Sequence, residues 1–284
     1  MKVTIITITY NAARTLRRTL DSVLSQTWAD IEHLIVDGAS TDDTLAVARR
    51  YQGQSRHQVI IQSEPDHGLY DAMNKGLRLA TGDYLVFLNA GDTLYANDTI
   101  ETVVRSTLHE TRSALHETPS ALHSSRSTLP AIIYGDTAVT DGQGRFLHMR
   151  QHRPPETLTW RSFRQGMLVC HQAFYVRTDI ARSQPYDLRY RYSADVDWCI
   201  RVMKEADRLR LPIVNSHAVL ANFEDGGTTT AHHRASLRER FQVMSTHYGL
   251  FHTVLLHIWF VLRALSRIKR IIKRRLPSTV KGQQ

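Results

Sequence analysis

Cysteine is scarce in this 284-residue chain. Its two residues, Cys170 and Cys199, form no CxxC pair and no disulfide-like spacing. That argues against a disulfide-stapled scaffold and points to a reducing compartment, with both thiols packed as small apolar groups. An export signal is missing too. The start, MKVTIITITY, has one lysine and a short run broken by threonines, not a long apolar stretch with a small-residue cleavage site. No GxGxxG follows the first apolar run and no GxxxxGK(S/T) occurs anywhere, which counts against a dinucleotide dehydrogenase and a P-loop NTPase. GxSxG and HExxH are absent as well, so neither a serine-hydrolase elbow nor a zinc-protease helix is expected.

The chain does have bulk and an ordinary composition. At 284 residues it can bury a sizeable core, as one large domain with appendages or as two small ones. Hydrophobic residues at 42% and charged residues at 22% exclude wholesale disorder. The net charge of +9 is concentrated: seven Lys or Arg lie between Arg263 and Arg275, with no acid among them. The basicity therefore belongs largely to the tail and says little about the core. Just before it, Gly249 to Leu262 runs fourteen residues without Lys, Arg, Asp or Glu and includes Trp259. That is short of the ~20 residues a membrane-spanning helix needs. Apolar residues followed by a cationic helix read as an interfacial anchor on an anionic leaflet. A core-packed terminal helix with a solvated end is the competing reading.

The first ninety residues alternate between two periods. Val3 to Thr9 reads as a β-branched strand, and Leu16, Leu20, Val23 and Leu24 follow at helical spacing after a cap at Asn11. Ile31 to Val36 is a second strand, after which Ser40 and Asp43 fit a capping box opening the next helix. Val59 to Ile61 makes a third strand; Leu69, Met73, Leu77 and Ala80 line a helix face; Tyr84 to Leu88 is a fourth strand. Such alternation predicts a parallel sheet with helices on its faces. Residues 106–130 break it with a seven-residue repeat (STLHETR, SALHETP, SALHSSR, STLP). One Leu per heptad is too few for a coiled-coil seam. Its His109, His116 and His123 could form a metal-binding stripe, but a solvated surface insertion is the preferred reading. Order resumes at Ala131, and from Asp195 a helix begins with Val196, Cys199, Ile200, Met203 and Ala206 on one face.

In open parallel sheets, ligands bind beyond the carboxyl ends of the strands. Asp37, after strand two, and Asp92, after strand four, fall there. Asp92 closes the tetrad Asn89-Ala90-Gly91-Asp92, which is compatible both with a plain turn and with a cation site. A third acidic group, Asp195 and Asp197, opens the later helix, where the backbone dipole alone would favour carboxylates.

Four ordered stretches, TITYNAARTLRRTLDSVLSQT, HLIVDGASTDDT, SEPDHGLYDAMNKGLRLATGDYLVFLNAGD and SADVDWCIRV, resemble successive signatures of the family 2 glycosyltransferases with a GT-A fold. The run from EPDHGLYDAMNKG to LNAGD is similar in particular to the branch that builds bacterial exopolysaccharides such as colanic acid. The resemblance covers about residues 1–230 apart from the insertion, leaving 231–284 as a basic, helical, membrane-associated segment. It implies a mostly parallel Rossmann-like sheet flanked by helices, and a nucleotide-sugar site that includes Thr9, Asn11, Asp37, Asp66, Lys75, Asn89 and Ala90. Asp37 matches the acid that contacts the base, and Asp66 and Lys75 fall in the segment closing over the phosphates. NAGD occupies the place of the family's DxD-type motif but keeps only the Asp92 carboxylate, expected to hold Mg²⁺ or Mn²⁺ with an amide, waters and the diphosphate. Asp195 aligns with the catalytic base, with Ala194 where many members have Glu. Asp197 points about 200° away on a helix and cannot share that role. His171, Trp198 and Arg201 are acceptor-side candidates, each with a structural alternative, and FEDGGTTT (Phe223 to Thr230) is similar to a loop that covers the diphosphate.

The implied activity is inverting transfer of a sugar from a nucleoside diphosphate to a saccharide or polyprenyl-linked acceptor. It would take place in the cytoplasm, on the inner face of the cytoplasmic membrane. The rival readings are a nucleic-acid-binding protein using the cationic C-terminus and a nucleotidyltransferase on a related sheet. Against the first, residues 1–230 show no basic stripe interleaved with aromatics; against the second, the glycine-rich basic N-terminal loop is missing.

Overall fold

The computed structural model describes residues 1–117, 129–226 and 233–259. Strand β1 (Val3–Thr9) is buried along its whole length and lies at the centre of a parallel unit. It pairs with β2 (Ile31–Asp37) on one side and β4 (Tyr84–Phe87) on the other, and β3 (Gln58–Ser63) adds outside β2. Strands enclosed on both faces must be apolar, which is why Val, Ile and Leu dominate here. The polar exceptions satisfy one another. Thr4 Oγ1 donates to Glu32 at 2.7 Å, Thr7 meets His33 at 2.9 Å, and Thr9 Oγ1 donates to Asp37 at 3.0 Å. Helices α1 (Ala13–Leu24), α2 (Thr44–Gln54) and α3 (Leu69–Leu79) supply the crossovers.

Beyond β4 the pairing changes sense. The remaining strands are β5 (Thr93–Leu94), β6 (Ile132–Thr140), β7 (Phe146–Met149), β8 (Phe174–Arg177) and β9 (Ile213–Glu224). The sheet order is β3-β2-β1-β4-β8-β6-β9-β5, with β7 on β6. β8 runs antiparallel to both β4 and β6, while β9 is parallel to β6. The parallel expectation thus holds for the N-terminal half, and the sheet as a whole is mixed.

Two expected helix caps are replaced. Asn11 sits in the left-handed region (φ 47) and uses its side-chain oxygen to accept Thr41 N–H at 2.9 Å; Ala12 is the residue before α1. Ser40 donates to Asp37, so no capping box forms at α2, where Asp42 instead accepts Thr44 N–H at 3.0 Å. Both side chains tie the loops after β1 and β2 together.

Helix α4 (Thr99–Glu117) runs into the repeat, so residues 106–117 of the expected insertion are a helical continuation. Ala, Leu, Glu and Arg in those heptads are good helix formers, and no proline intervenes before Pro119. His123 lies outside the described residues, and among those described no group of three or more His, Cys, Asp or Glu could hold a metal. Helix α5 (Thr178–Ser183) follows β8 directly. Helix α6 (Ala194–Arg208) carries the acidic pair, and α7 (His233–Tyr248) packs on it. Val243, Met244 and Tyr248 of α7 share the main core with α6, so packing does not end at the expected boundary of residue 230. Residues 250–259 are helical, and no helix among the described residues is long and apolar enough to cross a membrane. The cationic run from Arg263 to Arg275 lies outside the described residues.

Candidate active site

The carboxyl ends of β3, β2, β1 and β4 line one edge of the sheet. Asp37, the last residue of β2, is buried there with both oxygens engaged. Thr9 and Ser40 hydroxyls donate to Oδ1, while Ser40 N–H at 2.9 Å and Ser63 Oγ at 2.7 Å donate to Oδ2. Burial alone would raise its pKa, but these hydrogen bonds outweigh it and hold the carboxyl below the ordinary range. Gly38 follows, and a Cβ there would lie 2.4 Å from Asp66 Oδ2 and 3.4 Å from the Tyr10 ring. Only glycine lets Asp66 and Tyr10 close on that backbone. Tyr10 is 65% exposed, an aromatic left open at the edge beside two acids. Lys75 of α3 turns inward, its Nζ 2.6 Å from Pro65 O and 3.0 Å from Glu64, so it holds the segment carrying Asp66.

Asp92 stands two strands along from Asp37, past the end of β4. Gln172 Nε2 donates to Asp92 Oδ2 at 2.7 Å and Glu224 N–H donates to Oδ1 at 3.0 Å. Burial pushes this carboxyl up to about 6, against the pull of those two hydrogen bonds. Gly91 is needed for its φ of +107 and because a Cβ would lie 2.2 Å from Glu224 Oε2. Thr19 Oγ1 fixes the turn by donating to Asp92 O at 2.8 Å and accepting Gly91 N–H at 2.9 Å. Ala90 is half-buried in the same turn.

The Asn89 amide donates from Nδ2 towards His171 Nε2 at 3.3 Å, while its Oδ1 is buried with no partner. A buried orphan acceptor in the same turn as a carboxylate with spare lone pairs fits a hard divalent cation whose other ligands are phosphate oxygens and water. Asn89 and Asp92 are the residues that would hold it.

Asp195 completes the arrangement from the first turn of α6. Its Oδ1 accepts Val196 N–H at 2.9 Å and Tyr70 OH at 3.3 Å, and its Oδ2 lies 3.6 Å from His171 Nδ1. Burial opposes ionisation here, but the His171 contact, the Val196 N–H bond and the Arg240 charge together outweigh it and keep the carboxyl below its ordinary range. Burial and the Asp195 charge push the Tyr70 phenol well above its usual value, so it stays a donor. The side chain of Asp195 keeps 20% of its surface open. His171 and Gln172, adjacent in sequence, therefore connect Asp195 to Asn89 and to Asp92. With carboxylates joined this way, one can accept a proton while the other anchors a cation.

Two acceptor-side candidates take their structural alternatives. Trp198 is fully buried, stacked on Tyr186 with ring centroids 5.0 Å apart and edge-on to Phe87 and Phe174. It has no free face for a sugar. Arg201 is bound inward, Nε to Asp197 at 2.7 Å and Nη2 to Pro185 O at 2.7 Å. Asp197 also accepts His247 Nε2 at 2.8 Å, consistent with its pointing away from Asp195. Gln172, Tyr70 and Tyr10 were not singled out from sequence. Tyr10 could have been, as an aromatic inside the strand-end motif TYN; the roles of Gln172 and Tyr70 depend on contacts 80 and 125 residues away. Residues 227–230 of the FEDGGTTT stretch lie outside the described residues.

Residues 4–181 match the model of the family described as "Glycosyl transferase family 2". A PGL/p-HBAD biosynthesis glycosyltransferase of Mycobacterium bovis is 34% identical over 225 residues, covering 78% of this chain and 77% of the relative. Among solved structures, a mannosyltransferase from Pyrobaculum calidifontis in complex with GDP-Man and Mn²⁺ superposes with a TM-score of 0.60 at 16% identity, covering 100% of this chain and 76% of the other. S. aureus TarS 1–349 in complex with UDP-GlcNAc gives a TM-score of 0.59 at 16% identity, covering 94% and 73%. At that identity the two structures establish the architecture, the GT-A type.

Proposed function

Because this chain belongs to glycosyltransferase family 2, and is therefore a glycosyltransferase, we propose that it transfers a sugar, with inversion, from a nucleoside diphosphate to a lipid-linked saccharide or glycolipid acceptor at the inner face of the cytoplasmic membrane. The nucleotide would lie along the edge formed by Thr9, Asn11, Asp37 and Asp66, with its base beside Asp37 and Tyr10 and its sugar reaching Asn89 and Ala90. Mg²⁺ or Mn²⁺, held by Asp92 and Asn89, would stabilise negative charge on the departing diphosphate. Lys75 would act by holding the Asp66 segment.

The carboxylate of Asp195 takes the proton of the acceptor hydroxyl as its oxygen bonds to the anomeric carbon and the bond to the diphosphate breaks. A single displacement from the opposite face inverts that carbon. His171 would orient Asp195 and, with the Val196 N–H and the Arg240 charge, favour its ionised form. The observation that carries this reading is the His171–Gln172 pair, which joins the proposed base to the proposed cation ligand, Gln172 lying 2.7 Å from Asp92 and His171 3.6 Å from Asp195.

Support for membrane association comes from the helix that ends the described residues. Leu250, Phe251, Leu255, Ile258 and Trp259 are exposed there, Phe251 by 72%, just ahead of the cationic run. We take residues 1–230 with α7 as the catalytic unit and the following residues as the membrane-facing segment. Thermal-shift screening of UDP- and GDP-sugars with and without Mn²⁺ tests donor binding. A donor that stabilises the protein only with the ion, and loses that effect in Asp92→Ala, supports the reading; an unchanged ion dependence in Asp92→Ala contradicts it. Flotation of the full chain with anionic vesicles tests membrane association.

A further inference from the structure

The turn that launches α6 is held from the C-terminal side of the chain. Glu239 of α7 accepts three successive backbone N–H groups, those of Arg191 at 2.9 Å on Oε1 and of Tyr192 at 2.7 Å and Ser193 at 3.1 Å on Oε2. Ser193 Oγ returns a bond to Ser236 O at 3.2 Å. Two turns further along α7, His247 Nε2 donates to Asp197 while its Nδ1 accepts Lys204 Nζ at 3.0 Å. α7 is thus fastened to α6 at two points about 12 Å apart along its axis, which fixes rotation as well as distance. Asp195 lies two residues beyond the clamped turn. Hydrogen bonds to a carboxylate are short and roughly twice as strong as neutral ones, so this clamp is stiffer than an ordinary loop contact.

We infer that Glu239 is a positioning residue for Asp195, and that α7 is thereby part of the acceptor-side machinery. The inference rests on the proposed role of Asp195 as base. α7 lies outside residues 4–181, the span the family model matches, so nothing in that match assigns it a role. A displacement of about 1 Å in a reacting group can cost on the order of 10²-fold in rate. The carboxylate of Glu239 can accept all three N–H groups; an amide at the same place has one acceptor oxygen and turns a donor toward the rest.

The test is Glu239→Gln beside Glu239→Asp, Asp195→Asn and the double variant Asp195→Asn/Glu239→Gln in the full chain. Nucleotide release is followed with whichever of UDP-glucose, UDP-GlcNAc or GDP-mannose the wild type turns over, using an alkyl glucoside as acceptor. Glu239→Gln should lower kcat about 10- to 100-fold, with the KM for donor and the Mn²⁺-dependent binding of UDP or GDP unchanged. Glu239→Asp, which keeps both acceptor oxygens, should recover part of that loss. In the Asp195→Asn background the Glu239→Gln change should add nothing, because the group it positions is already gone. Normal kcat in Glu239→Gln with a lowered Tm reduces the contact to a structural one and overturns the inference, as does an equal rate loss in both backgrounds. If Asp195→Asn itself turns over normally, the base assignment fails, and this inference with it. An inactive Asp195→Asn beside a fully active Glu239→Gln overturns the positioning role alone.

Discussion

The two halves of the carboxyl edge are built by different means. In the half proposed for the nucleotide, Asp37 is satisfied by Thr9, Ser40 and Ser63, residues at or just past the ends of three adjacent parallel strands. Repeating strand–helix units bring such positions together as a by-product of the topology, so short local motifs are enough to specify them. On the side proposed for the acceptor, Tyr70 comes from α3 in the parallel unit, His171 and Gln172 from the turn before β8, and Asp195 from α6, where the sheet has turned mixed. The antiparallel pairing of β8 with β4 carries His171 and Gln172 to the end of β4, but Tyr70 and Asp195 join them only through side-chain contacts. The second half should therefore be the more easily disturbed in rate, and the first the more tolerant.

The largest expected effect is on the acceptor side. Asp195→Asn should reduce kcat by about 10³-fold, within the range of general-base contributions, while donor affinity stays within a factor of two or so. Isothermal titration beside initial rates checks both, and a parallel loss of donor binding would dissolve the distinction between the halves. Next comes Trp198→Ala, which should cost roughly 3–5 kcal/mol of folding stability in denaturant melts, as for large aromatic cavities. A loss confined to acceptor KM would return Trp198 to the sugar site.

A third prediction concerns pH. The raised pKa of Asp92, about 6, means it is mostly ionised at pH 7 and takes up a proton as pH falls through 6. Cations need the deprotonated ligand, so Mn²⁺-dependent UDP or GDP affinity should drop about tenfold per pH unit below 6. Asp37 and Asp195, both held below the ordinary range, stay ionised across that window and contribute no such step. Gln172→Leu removes a bond that favours the charged form, so it should move the step to higher pH. The smallest effect is expected from Arg201→Met. It should cost on the order of 1 kcal/mol in stability and leave acceptor kinetics unchanged, since Arg201 is turned toward Asp197 and Pro185.

The order of legibility in the sequence follows the same division. Strands β1 to β4 could be read from apolar periodicity, and Asp37 and Asp92 from their place after strands. Asn11 and Ser40 carry cap-like sequence patterns but bond across loops, to Thr41 and Asp37, instead of to their own helices. The antiparallel pairing of β8 with β4 and β6 has no local signature, and the repeat concealed the helical continuation of α4. Arg201 reads as a site candidate from sequence because an arginine in the second turn of an acidic helix start occurs in either role, whereas Asp197 is already turned away from Asp195 by helix geometry. Only the position of Pro185 decides it for Arg201. Gln172 sits beside a residue that was singled out, yet its contact with Asp92 spans 80 residues and could not be foreseen.

The most direct measurement is a crystal structure with Mn²⁺ and an intact or hydrolysis-resistant UDP- or GDP-sugar, with the ion located by its anomalous signal. The account predicts the ion within coordination distance of Asp92, the base beside Asp37, and the anomeric carbon facing the side of the cleft that holds Asp195 and His171. An ion bound away from Asp92, or a sugar whose anomeric carbon is turned away from Asp195, would contradict it.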